Sequence, residues 1–404
     1  MDISTPRIVL NSVFNSINWS KTPISGTNYE KYAQFIPVML IGLILSLLLT
    51  PIIGQIALKH DITYKPGKSR KGKDYDNSAK AIHKGITPAL GGLAITIPAL
   101  LAMLFFFKLD SFTIPVILSM FVLVIGSTFD DIFNLPAKIQ FLYQLIAAVI
   151  LSFSIIDLTD FFSISLNLHT FSFSILGIAQ SLVFPGDIIL VLWILVCINA
   201  FKWTAGSPGI IECNSLIIFS LIFVIAIRFQ SIFATTISAI LVGALLIFTV
   251  FALPPQKIMT GSTGKSVYGF LICTLSMIAD TKISTSIMLL ALPLIDFIYV
   301  IIKRQIKFKP KNFAELMKIN GADHFHHQLI ALGLSRINVV LVEAALTLAV
   351  GSLAILTTGA HRLFFLVLVL TLSVTAVVLM NILANKKSNS TKERPKSPES
   401  KYSY

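Results

Sequence analysis

Apolar runs close to 20 residues long recur through this chain, and they leave it few ways to fold. They lie at roughly 35–58, 89–107, 113–129, 139–156, 187–201, 212–228, 233–252, 266–280, 284–302, 337–357 and 362–384. A helix of about 20 residues crosses the ~30 Å hydrocarbon core of a bilayer and satisfies its own backbone hydrogen bonds where no water can. Composition argues against packing so many runs into a soluble core. Of the residues, 55% are hydrophobic and 13% charged, and the mean hydropathy is +0.83, far from soluble globular values. The expected fold is an all-α polytopic membrane protein, a bundle of about 10–11 transmembrane helices. The runs at 113–129 and 266–280 are short of apolar residues, which a helix inside the bundle tolerates.

The polar stretch Asn11–Gln34 precedes the first run and has no small-residue cleavage site, so that run is expected to stay as a helix. The chain then divides into an extracytoplasmic segment (1–34), a transmembrane body (35–385) and a basic, disordered cytoplasmic tail (386–404). Orientation follows from Lys and Arg, which concentrate in short cytoplasmic connections. The segment Lys59–Lys84 is rich in them, Asp157–Gly186 has none, and Lys303–Arg336 is rich again. This alternation predicts an N-terminus outside and a C-terminus in the cytoplasm. Basic loops on an anionic inner leaflet account for the net charge of +13, so no nucleic-acid partner is expected. Cys197, Cys213 and Cys273 have no paired spacing, so they read as small apolar packers, with neither a disulfide framework nor a zinc site indicated.

In this topology the unusual polar residues gather on the cytoplasmic side. Asp130 and Asp131 end the third run in "DDIFNLPAKIQFLYQ". The other clusters are "HKGITPALGG" (His83–Gly92), "NAFKWTAGSPGIIE" (Asn199–Glu212), "MTGSTGKSVYG" (Met259–Gly269) and "ADHFHHQLIALG" (Ala322–Gly333). Each has a bland explanation when taken alone. Paired acids at a helix end are often interfacial charges, and "GSTGK" without full phosphate-loop spacing reads as a turn into the eighth helix. Three histidines within four residues, in a chain that has seven, favour function. Together the clusters suit phosphate chemistry: carboxylates hold a divalent metal or take a proton, His and Lys bind phosphates, and Gly-rich turns bring backbone amides close.

"DDIFNLPAKIQFLYQ", "HKGITPALGGLAI", "LPLIDFIYVIIKR" and "HFHHQLIALGL" resemble the signature segments of the polyprenyl-phosphate N-acetylhexosamine-1-phosphate transferases. The likeness runs in the same order from about Leu43 to Val350. A sister branch of that family makes the first lipid intermediate of peptidoglycan. The resemblance implies transfer of a sugar 1-phosphate from a UDP-sugar to polyprenyl phosphate in the bilayer, with release of UMP and with Mg²⁺ as cofactor. It further implies that Asp130 and Asp131 bind or deprotonate the lipid phosphate, while Lys84, Lys138 and Asn199 help hold substrate. His324, His326 and His327 would contact the nucleotide-sugar diphosphate, and Asp296 and Arg304 match family positions near the ninth helix. A second copy of the chain stays open as a partner.

The sequence departs from the family pattern in two motifs. Where the family reads Asn-Ala-x-Asn-x-x-Asp-Gly-x-Asp-Gly, Asn199 and Ala200 are followed by Lys202, Ala205, Gly206, Pro208 and Gly209. Where it reads Gly-Asp-x-Gly-Ser, with the Asp as Mg²⁺ ligand, this chain has Ser262 and Lys265. A hydroxyl is a poor replacement for a carboxylate on a hard cation, so metal binding is expected to be weak or absent. The two lysines could replace the metal in part, or Lys202 could snorkel into water. Glu212 and Asp323 are the nearby acids able to restore a ligand. Two alternatives to an active transferase stand beside it. One is an inactive relative that binds polyprenyl phosphate or a nucleotide sugar in a regulatory role; the other is a transporter coupling protons through Asp130 and Asp131, which their helix-end position disfavours.

Overall fold

The computed structural model describes residues 28–64, 86–154, 169–175, 178–204, 206–280, 283–311, 313–316, 319, 323–356 and 361–392. Lys84 and Ala205, most of the segment 1–34 and the tail from 393 onward lie outside the described residues. Helix α1 is Asn28–Ala33 and α2 is Ile36–Lys59; α3 (Leu93–Phe106), α4 (Thr113–Phe133), α5 (Ala137–Ser152) and α6 (Gly186–Thr204) follow. After these come α7 (Ile210–Arg228), α8 (Ile232–Ala252), α9 (Gly261–Asp280), α10 (Ile283–Leu289) and α11 (Ala291–Phe308). Two short helices, α12 (Phe313–Leu316) and α13 (Phe325–Ala331), lead into α14 (Arg336–Leu356) and α15 (Arg362–Lys392). Two antiparallel hairpins interrupt the helices: β1 (Thr63–Tyr64) with β2 (Thr87–Pro88), and β3 (His169–Ile175) with β4 (Ile178–Phe184).

Every apolar run expected to be a span is helical, and the protein is an all-α, multi-pass membrane protein. Not every helix of the expected bundle is a full-length apolar span. Among the described residues seven helices are long and apolar enough to cross a membrane, or eight if a bent pair counts as one span. Helices α3 and α5 are shorter apolar helices. The run at 284–302 is not one rod, because α10 and α11 meet at a 76° bend. Pro293 explains the break: it lies in the first turn of α11, has no N–H to bond the Leu289 carbonyl, and is tolerated only where a helix begins.

The helix too polar to qualify, α9, lies at the centre of the bundle, packed against α4, α6 and α7. Its Ser and Thr side chains are buried by protein, as are Tyr268 and Phe270, so it has no need of a lipid-facing apolar surface. The closest helix pair is α2 with α8, held by small residues. A Cβ on Gly42 would collide with the Ile240 carbonyl oxygen, and one on Gly243 with that of Met39. Backbones approach this closely in a membrane because lipid offers no competing hydrophobic drive and contact must come from fit.

Candidate active site

The C-terminal turn of α4 carries both Asp130 and Asp131, buried to 3% and 2% exposure. Asn134 adopts a left-handed conformation and donates its N–H to the Asp130 carbonyl at 2.8 Å, closing the helix. Carboxylates at the negative end of a helix dipole need positive partners, and each finds a different one. Asp131 accepts hydrogen bonds from the Ser262 N–H (2.7 Å), the Thr263 N–H (3.0 Å) and the Thr263 hydroxyl (2.8 Å). It thereby fills the anion-binding position at the N-terminus of α9. Gly261, at φ +71, makes this approach possible, since a Cβ there would press on the Asp131 carboxylate.

Asp130 pairs with Lys202, whose Nζ lies 3.7 Å from Oδ2. The Gln140 side chain joins them, donating to Asp130 Oδ1 at 2.9 Å and accepting from Lys202 Nζ at 2.6 Å. The Lys202 ammonium thus rests against Asp130, with 16% of its side chain exposed. Asn199, one turn earlier on α6, donates to Gln144 Oε1 at 2.8 Å and ties α6 to α5. Lys138 is exposed in the first turn of α5 and Lys265 is half-buried on α9. Glu212 is buried at the start of α7, where the Thr260 hydroxyl donates to it.

A second cluster forms around α13. Asp296, on α11, accepts from His324 Nδ1 and from the Phe325 N–H, both at 2.8 Å, and so caps the N-terminus of α13 from another helix. The rings of His324 and His326 stack in parallel with centroids 5.7 Å apart, and His327 lies 4.2 Å from His326. Burial, then the neighbouring His327 and His324, hold His326 well below the ordinary histidine value. Arg304 is buried over the face of Trp203 (5.5 Å) and 3.6 Å from Asp323. Burial alone would raise the Asp323 carboxyl, but the Lys303 contact at 3.1 Å and the charges of Lys303, Arg304 and Lys307 bring it below the usual range.

The last turn of α6 joins the two clusters. Lys202 serves the first, while its neighbour Trp203 packs edge-on against Phe297 (4.9 Å) and His324 (6.2 Å) in the second. Just beyond, Gly206 sits so close to His326 that a Cβ would collide with the ring. The sequence reading placed most of these residues on one side without pairing them, and it missed four participants. Gln140, Thr263 and Trp203 sit inside or beside the quoted motifs. Glu343 is buried on α14 beside Asn214, in a cavity that His326, Asp296 and Thr204 also line. A lone acid inside an apolar run was the available signal for it.

The arrangement does not fit the divalent cation that the resemblance implies. Among the described residues no three His, Cys, Asp or Glu side chains gather to hold a metal. The Asp131 oxygens face N–H and O–H donors, and the position of the family's metal ligand presents the Ser262 N–H to that carboxylate. Backbone N–H groups cannot ligate a cation, a neutral hydroxyl is a weak ligand, and a hard dication needs several oxygen ligands.

The model of the family "Glycosyl transferase family 4" matches residues 113–280, the stretch from α4 through α9 that contains the carboxylate cluster. A probable undecaprenyl-phosphate N-acetylglucosaminyl 1-phosphate transferase of Bacillus subtilis is 27% identical over 78% of this chain and 82% of its own length. The phospho-N-acetylmuramoyl-pentapeptide-transferase of Staphylococcus carnosus is 28% identical over 49% of this chain and 64% of its own length. Its counterpart in Staphylococcus saprophyticus is 29% identical over 74% and 92%. Over its helical membrane bundle the chain is thus similar to glycosyl transferase family 4 and to these membrane transferases.

Proposed function

We propose that this protein transfers an N-acetylhexosamine 1-phosphate from a UDP-sugar to polyprenyl phosphate at the cytoplasmic face of the plasma membrane, an early step in making an envelope glycan. The orientation is the one the basic connections favour, with the N-terminus outside and the C-terminus inside. An oxygen of the lipid phosphate attacks the β-phosphorus of the UDP-sugar. The bond from that phosphorus to the bridging oxygen breaks, and UMP leaves with the electron pair. Such transfer is mostly a matter of positioning and of stabilising charge on phosphate oxygens. Lys202 beside Asp130 supplies charge where the lipid phosphate docks; Arg304 and Lys303 supply it toward the nucleotide-sugar diphosphate, to which the histidines offer ring nitrogens for hydrogen bonding.

The observation that carries this reading is the juxtaposition of the two clusters at the end of α6, where Lys202 and Trp203 are adjacent residues serving one each. The test is UMP release by the purified protein in detergent, given undecaprenyl phosphate and UDP-N-acetylglucosamine, beside an Asp130→Asn variant. Release by the native chain that the variant loses supports the assignment, and a fully active variant refutes the role of Asp130.

One observation favours a second reading. Both carboxylates of the pair face donors from the protein itself, as suits a relative that binds the substrates without turning them over. Saturable binding of undecaprenyl phosphate with no UMP release, across several UDP-sugar donors, would select it.

A further inference from the structure

We infer that this protein binds the phosphate of its substrate with a cation of its own, the Lys202 ammonium, and has no divalent-cation requirement. The inference rests on the phosphate-transfer reading of the site and specifies its chemistry. The Lys202 ammonium lies 3.7 Å from Asp130 and is fixed by Gln140, which holds ammonium and carboxylate at once. Its side chain keeps 16% of its surface exposed, whereas that of Asp130 keeps 4%. The lysine is therefore the member of the pair that an arriving anion can touch.

Asp131, the other acid of the pair, is turned toward the N-terminus of α9, where two N–H groups and a hydroxyl surround it. That helix end carries about half a positive charge. A dication brought to Asp131 would compete with these donors and sit against the positive end of the dipole. Ammonium is a strongly hydrated point charge that binds phosphate without the geometric demands of a metal, so a lysine here supplies charge stabilisation with no coordination sphere to complete.

The experiment uses the full chain in detergent. MgCl₂ alone is added in a thermal unfolding scan, and ligand binding is measured with EDTA and with Mg²⁺, in separate arms for undecaprenyl phosphate and for the UDP-sugar, which tell a lipid phosphate from a nucleotide diphosphate as the Lys202 ligand. We expect MgCl₂ to leave the Tm of the native chain unchanged. At least one ligand should bind equally well, within twofold, in EDTA and in Mg²⁺. Lys202→Met should weaken that binding at least tenfold, and Lys202→Arg, which keeps the charge and guards against misfolding of the Met variant, should recover most of it. The double variant Lys202→Asn, Ser262→Asp should acquire a Tm that rises with Mg²⁺. A native Tm that rises with Mg²⁺, binding abolished by EDTA, no binding of either ligand, or full affinity in Lys202→Met would each overturn the inference. Absence of UMP release alongside metal-free binding would count against the transferase reading alone.

Discussion

Replacing Asp131 with Asn should damage stability more than chemistry, whereas the same change at Asp130 should do the reverse. Asp131 accepts from the Ser262 N–H at 2.7 Å, the Thr263 N–H at 3.0 Å and the Thr263 hydroxyl at 2.8 Å. An asparagine keeps one oxygen, but in either orientation its NH₂ group must face a backbone N–H, which has no lone pair to offer. A hydrogen bond to a charged group contributes about 1.5–3 kcal/mol, and a buried donor left unpaired costs about 1–3 kcal/mol. Loss of the charge at the helix N-terminus adds about 0.5–1 kcal/mol. Because these contributions overlap, the net cost is set at about 3 kcal/mol. In a chain of this size that lowers Tm by about 5 °C. Asp130→Asn keeps an oxygen for the Gln140 amide and loses one ion pair, to a lysine that retains 16% side-chain exposure to water, so about 1.5 kcal/mol is at stake. Thermal unfolding in detergent, followed by tryptophan fluorescence, compares the two variants directly. Equal losses of Tm, or an Asp131→Asn variant as stable as the native protein, would refute the assignment of Asp131 as the cap of α9.

Three further predictions concern the rest of the bundle. Gly243→Leu should prevent α2 and α8 from meeting, because the added Cβ collides with the Met39 carbonyl; the expected cost is about 3 kcal/mol or more, and the yield of monodisperse protein reports it. His326 titrates below its ordinary value, so its contribution to stability is complete above about pH 6.5. It is lost as the pH falls through the folded value, because only the unfolded chain takes up the proton in that window. Subtracting the Tm–pH curve of His326→Asn from the native curve should isolate this slope between pH 7.5 and 5, and a flat difference would refute it. Glu343→Leu should remove the carboxylate that accepts from Asn214 Nδ2 at 3.4 Å, costing about 1–3 kcal/mol. Glu343→Gln should stay close to native in the same thermal scan.

Helix positions were legible in the sequence because a bilayer converts hydrophobic length directly into structure. The break before Ala291 was not, since residues 287–295 are all apolar apart from Pro293, which alone marks the bend. The carboxylate pair was legible as an anomaly, but its two fates were not. Pairing Asp130 with Lys202, or Asp131 with Thr263, needs helices brought together from distant parts of the chain, and nothing in local periodicity reports such contacts. "GSTGK" reads correctly as a turn into a helix, yet its anion is a side chain of the protein, which spacing alone cannot tell from a ligand. The His324–Asp296 contact is similar, with its members on separate helices. Glu343 was overlooked because one acid barely alters the hydropathy of a long apolar run.

The final turn of α6 has a thermodynamic consequence. Neighbouring residues on a helix are separated by about 1.5 Å along its axis, so, on the proposed transferase function, a ligand that shifts the end of α6 through Trp203 also repositions Lys202 relative to Asp130. The two binding events then share one free-energy term, and linkage requires it to be equal in both directions. Whatever factor a nucleotide-bearing ligand imposes on affinity for the lipid phosphate, the lipid phosphate imposes on affinity for the nucleotide. Order of addition cannot alter the affinity of the ternary complex, and truncating Trp203 should shrink the shared term while each ligand, measured alone, still binds.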